Sequence, residues 1–507
     1  MRKWVAWACS ISLLTPGIAF PGAAETQESD RYAPPVIAPQ SGYCRTPSAL
    51  PNLGPEVENQ QESRPGIMRR SVRSSVESAP LAMTAPPPTS SSEVAEATAD
   101  TVVVTGSGVD APTHEVDVDR SLPRPIPPRP PQPRPQSGLL TAGEHDDLLN
   151  PELYEDYRRK ANIGQMTSDM PVVDTARLLT VELRDNRGRA VPFADVELRC
   201  EDGNVITLKT VADGSVVFFP GLDRLSKDVW IRSGGSDWRA VQIADGAGGQ
   251  KVQITQSEAA PRVRKLDLAL VVDVTGSMSD ELQYLQSELT SIIGDLENRH
   301  RNLDVRVAFT FYRDQGDQFV TRSFGFDGNV DRARGRLAQQ YASGGGDYEE
   351  AMQDALVRAA QMDWRDDAAK TLLLVADAPP HNQDIAQTWL AAEHLRADRV
   401  HVVPVGASGV GDMAEYVMRA MAAVTQSRYT FLTDDSGIGN PHAEPAIDCY
   451  LVTRLDHLLR RVIDSQISGR RIEPERSEVI RSVGQYDAGR CMLPEGFGDQ
   501  KQVHKGA

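Results

Sequence analysis

The sequence predicts a doubly wound α/β domain with a mostly parallel sheet, preceded by a small all-β sandwich and a long disordered N-terminal region. Three observations carry this prediction. Apolar runs alternate with amphipathic stretches from Leu266 onward, short segments alternate apolar and polar residues between 173 and 256, and Pro, Ser and Thr dominate before residue 150. A continuously apolar strand such as 371–376 is typical of a parallel sheet covered by helices on both faces.

The first 24 residues have the pattern of a secretory signal peptide. Arg2 and Lys3 precede an apolar stretch, and small residues end at Ala24 before Glu25. This pattern predicts export with cleavage near Ala24, and an uncleaved N-terminal anchor is the alternative. No later stretch is long and apolar enough to span a membrane, so we expect no transmembrane segment after cleavage.

Residues 25–150 are predicted to be a disordered linker. Few aromatic residues occur there, so this part cannot bury enough apolar surface to offset the entropy of ordering. The proline run at 123–135 favours polyproline II, and its length gives a stiff spacer of roughly 40 Å. We interpret this arm as a spacer, with a specific ligand for proline-binding domains as the alternative.

The net charge and the cysteine content indicate which partners and which cellular compartment to expect. The formal charge is -17, and loss of Arg2 and Lys3 makes it -19, which opposes binding to nucleic acid and favours recruitment of divalent cations. An even number of cysteines remains after signal cleavage, and in an exported chain these can form disulfides. They are Cys44, Cys200, Cys449 and Cys491. Pairing of Cys449 with Cys491 is the first expectation, although three connectivities remain open.

Residues 173–256 are predicted to form a compact antiparallel β-sandwich. Apolar and polar residues alternate at 179–183 and 196–200, and Asp-Gly pairs at 202–203 and 213–214 are hairpin signals.

The same region resembles the prealbumin-like regulatory domains that accompany carboxypeptidases. The resemblance lies in residues 181–196 and 210–218. Nothing there predicts catalysis, and Cys200 is expected on the inner face, either as a core thiol or in a disulfide.

Strands and helices are predicted to alternate from Leu266 onward. Strands are expected at 266–273, 304–311, 318–324, 370–377, 400–405 and 429–432. The first helix carries an apolar stripe from Leu282 to Leu296, and others are expected near 329–340, 348–361, 384–396, 412–424 and 450–467. This alternation is what predicts the doubly wound sheet.

Oxygen-bearing side chains cluster at the predicted strand ends. Asp273, Thr275 and Ser277 follow the first apolar strand, Asp377 ends another, and Asp347 follows a run of three glycines. Ligands bind at the carboxyl ends of the strands in such sheets. Hydroxyl and carboxylate oxygens suit Mg²⁺, with Mn²⁺ or Ca²⁺ as alternatives.

Residues 262–470 resemble the von Willebrand factor A (VWA) domain, whose adhesion site uses an Asp-x-Ser/Thr-x-Ser loop. The motif Gly344-Gly-Gly-Asp-Tyr-Glu-Glu350 and the segment 432–445 are similar to a hemicentin-like and bacterial exported subgroup. The resemblance implies a metal whose open position takes an acidic side chain from a protein partner. It leaves 471–507 as a C-terminal tail.

The second loop departs from many adhesion-type sites, because Asp347 stands where they have Thr. Asp347 then binds the metal directly or through water. Asp314 and Glu350 are predicted at the rim of the site. Asp273, Asp347 and Asp377 would repel one another by roughly 3 kcal/mol per pair at about 5 Å, so the cluster calls for a cation or raised pKa values. His381 and His442 are expected to be exposed or capping residues.

The function predicted from these features is that of an exported, non-enzymatic binding protein that engages a protein partner through a divalent metal, in adhesion or envelope assembly. A metal-dependent hydrolase is one alternative, with Asp314 or Glu350 as general base. A structural metal, with binding by the sandwich or the proline-rich arm, is another. The signal peptide and a short segment, 101–107, that resembles the N-terminal segment of TonB-dependent receptors favour a Gram-negative periplasm or outer membrane.

Overall fold

A computed structural model describes residues 42–57, 132–161, 170–246, 248–257, 259–300 and 302–493. Within these ranges no helix is both long and apolar enough to cross a membrane. The predicted signal peptide, the proline run up to residue 131 and the segment 101–107 lie outside them.

Strands and helices are numbered in chain order. The strands are β1 (Thr141–His145), β2 (Leu179–Asp185), β3 (Asp195–Cys200), β4 (Val205–Lys209), β5 (Ser215–Phe218), β6 (Asp228–Ser233), β7 (Arg239–Gln242), β8 (Gln250–Gln256), β9 (Lys265–Asp273), β10 (Asp304–Tyr312), β11 (Thr321–Asp327), β12 (Ala369–Ala376), β13 (His401–Gly406), β14 (Tyr429–Leu432), β15 (Tyr450–Arg454), β16 (Arg481–Val483), β17 (Tyr486–Asp487) and β18 (Arg490–Cys491). The α-helices are α1 (Pro151–Ala161), α2 (Leu282–Arg299), α3 (Val330–Ala338), α4 (Met352–Ala360), α5 (Ile385–Ala397), α6 (Asp412–Val424) and α7 (Leu455–Ser468).

A nine-stranded, mostly parallel sheet forms the centre of the larger domain, as predicted. Its order is β11-β10-β9-β12-β13-β14-β1-β15-β16. The strands β10, β9, β12, β13 and β14 run parallel, whereas β11 and β1 run antiparallel to their neighbours. Alternate residues of β9 enter different cores: Leu268 and Leu270 pack with α2, α3 and α7, and Ala269 and Val271 with α4, α5 and α6. The helices therefore cover both faces.

The order of the sheet reverses at β9. From β9 the chain crosses to β10 on one side, and β12 lies on the other. The carboxyl ends of β9 and β12 thus flank the crevice where ligands bind in this class of sheet. Asp273 ends β9 and Asp377 follows β12, so the topology itself brings these two residues to the crevice.

The prediction that disorder extends over residues 25–150 was wrong at its C-terminal end. β1 lies in that range and inserts between β14 and β15, and α1 begins at Pro151. Gly143 makes the insertion possible, because a β-carbon there would overlap the Phe431 ring. Five residues of a strand need few apolar side chains when neighbouring strands complete their hydrogen bonds, so composition did not reveal β1.

Two further boundaries differ from the prediction. The helix expected from residue 450 begins at Leu455, because Tyr450–Arg454 forms β15 and pairs with β1. The expected C-terminal tail from residue 471 contains β16, which adds the last strand of the sheet. A disulfide joins Cys449 to Cys491, as first expected, and fixes the segment that follows β16.

The region 173–256 forms two small sheets, with orders β5-β2-β8 and β4-β3-β6-β7. Residues of both sheets share one core, whose members include Val181, Leu198 and Ile231. The prediction of a purely antiparallel sandwich was wrong in one pair, since β2 and β8 run parallel.

A disulfide between Cys44 and Cys200 ties the segment 42–57 to the sandwich. From there the segment reaches the larger domain: Arg45 pairs with Glu393 of α5 at 2.6 Å, and Glu56 accepts a hydrogen bond from Ser323 N of the edge strand β11 at 3.0 Å. This part of the predicted linker is therefore packed against both domains, and residues 42–57 are called the strap below.

Candidate metal centre

The loops that follow β9, β10 and β12 meet the glycine loop, which lies between α3 and α4. In the parallel register Asp273 lies opposite Tyr312, and the backbone of Val274 donates to Tyr312 O at 3.0 Å. The glycine loop is tied to the first loop by hydrogen bonds from Gly276 N to Gly344 O and from Ser343 N to Val274 O, both 3.0 Å. These bonds hold the oxygen-bearing side chains in place before any ligand binds.

Asp273, Thr275 and Ser277 form a short hydrogen-bonded chain. Oδ1 of Asp273 accepts from the Thr275 backbone N at 2.9 Å and from Thr275 Oγ1 at 2.6 Å. The Thr275 and Ser277 hydroxyl oxygens lie 3.0 Å apart. Asp273 and Thr275 are fully buried, whereas Ser277 is exposed, so the chain leads from the sheet to the surface.

Three buried carboxylate oxygens at this site accept no hydrogen bond of regular geometry among the described residues, although the Tyr312 hydroxyl lies near Asp273 and the Ser277 hydroxyl near Asp377. They are Asp273 Oδ2, Glu350 Oε2 and Asp377 Oδ1. Each of these side chains is at most 2% exposed. Unpaired buried acceptors cost free energy, and several together are the arrangement that a cation would satisfy. Hard divalent cations prefer hydroxyl and carboxylate oxygens as ligands, so these residues fit a divalent metal.

The acids of this cluster resist ionisation in the metal-free site. Burial raises the pKa of Glu350 to about 9, and repulsion from Asp273, Asp314 and Asp377 adds to it. Burial also raises the pKa of Asp273, reinforced by the Asp377 charge. In Asp377 burial again raises the pKa, although the Ser277 hydroxyl opposes it. Like charges therefore meet among Asp273, Asp377 and Glu350 rather than in the expected trio with Asp347, and a bound cation would relieve their repulsion.

Two glycines of the loop are required by close packing and by their backbone. Gly344 and Gly345 have φ values of +86° and +77°. A β-carbon on Gly345 would lie 2.8 Å from Glu350 Oε1, and one on Gly344 would overlap the Asp317 carboxylate. Asp317 also accepts from the backbone N of Gly345 at 2.8 Å. Sequence reasoning missed Asp317, although an aspartate after a strand end is a common loop anchor.

Asp347 lies in a neighbouring group rather than among these buried acids. It is exposed, and its carboxylate groups with Asp314 and His381, with ligand atoms within 4.8 Å of one another. His381 Nε2 lies 2.7 Å from Asp314 Oδ1. Burial acts to lower the pKa of His381, but the Asp314 carboxylate outweighs it and raises the pKa. The contact between the His381 ring and the Asp314 carboxylate accounts for this group without a metal.

The structure therefore brings Asp273, Thr275, Ser277 and Asp377 together. Glu350, predicted at the rim, is a buried member of the cluster, whereas Asp347, predicted as a ligand, faces solvent. The ligand role of each residue remains a prediction.

His442 was expected to be exposed or capping, but its side chain is only 5% exposed. Its two nitrogens lie 2.7 Å from Glu281 Oε1 and 2.8 Å from Asp434 Oδ1. It holds the loop after β14 against the start of α2.

Residues 267–441 match the family model of the von Willebrand factor type A domain, so this part of the chain is a VWA domain. A protein of Acanthamoeba polyphaga mimivirus, named as an ariadne-like RING finger protein, is 35% identical over 133 residues, which are 25% of this chain and 12% of that protein. The alpha-protein kinase vwkA of Dictyostelium discoideum is 27% identical over 121 residues, 24% of this chain and 19% of the kinase. The chain thus spans less than a fifth of either relative.

Two solved structures show a weaker likeness. BatB of Bacteroides thetaiotaomicron is 11% identical with a TM-score of 0.28, and the match covers 40% of this chain and 98% of BatB. The pilus adhesin SpaC of Lactobacillus rhamnosus GG is 14% identical with a TM-score of 0.29, covering 42% of this chain and 31% of SpaC. At these TM-scores nothing about function follows from either structure.

Proposed function

We propose that this chain is an exported, non-enzymatic binding protein. Its VWA domain would hold a divalent cation, with Mg²⁺ as the first candidate, and through it engage an acidic side chain of a protein partner. The observation that carries the proposal is the set of three buried, unpaired carboxylate oxygens beside two hydroxyls at the switch point of the sheet.

The residues that would hold the cation are Thr275 and Ser277 through their hydroxyls, and Asp273, Asp377 and Glu350 directly or through water. Asp347 would join them through water, given its exposed position. When bound, the cation supplies a positive centre that prefers oxygen ligands and keeps exchangeable waters. Ser277 and Asp347 are the exposed members of the set, so a partner would approach from their side.

Export is supported by the two disulfides. Cys44–Cys200 and Cys449–Cys491 bridge segments far apart in sequence, and such bonds persist in oxidising compartments. Export to a Gram-negative periplasm or outer membrane is part of the proposal.

The hydrolase alternative has weak support from the site. Of its two candidate bases, Asp314 is already paired with His381, and burial keeps the pKa of Glu350 near 9, so this carboxyl is protonated at neutral pH in the metal-free site. The structural-metal alternative remains a separate outcome of the experiment below.

Calorimetric titration of Mg²⁺, Mn²⁺ and Ca²⁺ tests the metal site. Thr275→Ala and Ser277→Ala should each weaken binding by about tenfold or more, because each removes one oxygen ligand. Ser279→Ala is the matched control, since Ser279 is an exposed hydroxyl in the same turn. Unchanged affinity in both site variants would overturn the proposed ligand set.

A second titration distinguishes a metal site that binds a partner from a metal site that only stabilises the fold. A short glutamate-containing peptide is added to the Mg²⁺-saturated protein and to the protein in EDTA. Metal-dependent peptide binding that Ser277→Ala removes supports the recruiting site. Metal binding without any response to the peptide would favour a purely structural metal.

A further inference from the structure

We propose that a slot between α1 and α6 binds an alkyl ammonium or alkyl guanidinium ion, the chemistry of lysine and arginine side chains. The slot has a volume of about 450 Å³ and is closed on its third side by residues 445–448. None of the candidate metal ligands lines it, so the two sites are separate.

Two buried polar atoms at the slot make no hydrogen bond among the described residues. His145 Nε2 and the Tyr157 hydroxyl have no hydrogen-bond partner in the part of the chain that the structure describes. The two residues are 4% and 8% exposed. Buried polar atoms in native proteins are nearly always satisfied, so both atoms call for an occupant of the slot.

The occupant should be a hydrogen-bond donor. Burial lowers the pKa of His145, so its ring is neutral and can present one nitrogen as an acceptor. Nε2 lies 3.5 Å from Asp147 Oδ1, which is a second acceptor. An N–H group placed near these two atoms could satisfy the imidazole while being attracted to the carboxylate.

The charges around the slot favour a cation. Arg419 is buried there, but it is offset by Asp147 at 2.6 Å and Glu415 at 2.9 Å. At the mouth Asp156 is paired with Lys160 at 2.7 Å, whereas Asp412 and Asp448 are exposed and form no salt bridge within the described residues. Asp156 is also paired with Arg159, and Arg419 is matched by Asp147 and Glu415, so Asp412 and Asp448 are the lining carboxylates that supply the excess negative charge.

The walls fit an apolar stem behind the charged group. Leu153, Ile447 and the Tyr157 ring contribute apolar surface to the lining, and the Arg419 guanidinium covers one face of that ring at 3.8 Å from its centre. Lysine and arginine bury their methylene stems in this way while the charged head finds polar partners. A basic side chain of a partner protein and a free amine share this chemistry, and the experiment distinguishes them.

The test uses the full-length chain in EDTA, so that the metal site plays no part. The probes are n-butylammonium, n-butylguanidinium, the neutral isostere n-butylurea, and the peptide acetyl-Gly-Arg-Gly-amide, each titrated by calorimetry and by ligand-observed NMR. We expect both butyl cations or the peptide to bind saturably and n-butylurea to bind at least about tenfold more weakly, since charge-assisted hydrogen bonds are the stronger class.

Variants locate the binding. The double change Asp412→Asn with Asp448→Asn should weaken binding of the cations by about tenfold or more. Tyr157→Phe should also weaken it by about tenfold or more, because the hydroxyl would accept a charge-assisted hydrogen bond from the cation. Asp331→Asn is the matched control, because this carboxylate is 93% exposed on α3. The mouth residues are exposed, so the double variant should fold, and its thermal unfolding is compared with that of the unaltered chain.

Each outcome decides one point. A peptide that binds at least tenfold tighter than n-butylguanidinium assigns the slot to a partner's side chain, and equal affinities assign it to a free amine. Absence of saturable binding, equal binding of n-butylurea, or cation binding that the double variant leaves unchanged overturns the proposal and leaves the slot to ordered water.

Discussion

Glu350 and Asp347 show how much a single residue's position matters at the candidate metal centre. The two lie three residues apart, yet Glu350 is 2% exposed beside Asp273 and Asp377, whereas Asp347 faces solvent. The Glu350 carboxylate lies directly against Gly345, where a β-carbon would come within 2.8 Å of Oε1, so the absence of a side chain at that glycine leaves room for the buried acid. Glu350 is both buried and repelled by neighbouring carboxylates, so its ionisation should affect the stability of the protein most strongly when pH or metal changes.

The metal-free protein should become less stable as pH rises between about 5 and 8. The ordinary pKa of a glutamate is 4.5 and that of Glu350 in the folded protein is about 9, so within this window the folded state holds a proton that the unfolded state has lost. Stability falls with rising pH wherever the folded state binds more protons. Thermal unfolding in EDTA measures the trend, and saturating Mg²⁺ should remove it.

Glu350→Gln separates this carboxyl from other titrating groups. The variant keeps the size of the side chain and loses its titration, so it should be more stable than the unaltered chain at pH 8 in EDTA and gain less from Mg²⁺. Equal pH profiles for the two proteins would contradict the assignment of the trend to Glu350.

Gly345→Ala should weaken metal binding by about tenfold or more and cost roughly 1–2 kcal/mol of stability. The new β-carbon would lie 2.8 Å from Glu350 Oε1, and the φ of +77° disfavours any L side chain. Gly346→Ala is the control, because a β-carbon there meets nothing within 4 Å. Calorimetry and urea unfolding report the two effects. A Gly346→Ala protein that loses as much as Gly345→Ala would refute the proposed close approach.

At the scale of elements, β1 depends on an anchor on α2. The Glu288 carboxylate is buried and accepts hydrogen bonds from the backbone N of Gly138, Leu139 and Leu140 at 2.8–3.1 Å, and from Ser137 Oγ. Burial raises the pKa of Glu288, although the bonds from Gly138, Ser137 and Leu140 oppose this. The carboxylate thus fixes the chain where it enters the sheet.

Glu288→Ala should destabilise the protein by about 2–4 kcal/mol, because it leaves several buried donors without an acceptor. The loss should be concentrated at β1. Urea unfolding gives the total, and hydrogen exchange at Leu140 and Ala142 gives the local part. Gln283→Ala, at an exposed position of the same helix, is the control. Unchanged exchange at both amides in Glu288→Ala would exclude the anchoring role.

At the scale of the whole molecule, the sandwich and the VWA domain share buried surface. Val217, Phe219 and Leu222 belong to the same core as α5 and α6. Arg396 of α5 pairs with Asp223 at 2.7 Å, and the strap through Cys44 crosses between the two domains. Boundaries drawn from the VWA pattern alone therefore cut through a continuous core.

A fragment of residues 260–475 should fold less stably than one of residues 132–493. The shorter fragment lacks β1 and β16. β14 then pairs only with β13, and β15 loses both strands with which it pairs. The fragment also exposes the surface that packs against Phe219. Circular dichroism and thermal unfolding of the two fragments measure the difference. Equal unfolding temperatures would show that the parallel core alone determines stability.

The sequence by itself determined the parallel core and the chemistry at its edge. Apolar runs such as 371–376 and the helical stripe of α2 predicted both the sheet and its covering, because these patterns reflect burial that is local in sequence. Asp273, Thr275, Ser277 and Asp377 could be placed together because parallel strands end at one edge.

Only the tertiary structure decided which parts complete the sheet and which acid points inward. β1 and β16 are short strands that gain their stability from neighbours distant in the chain, so no local sequence pattern predicts them. The inward course of Glu350 depends on left-handed glycines and on the Asp317 anchor, and the slot between α1 and α6 exists only where distant helices meet. Contacts of this kind are set by packing between segments, which periodicity and composition do not encode.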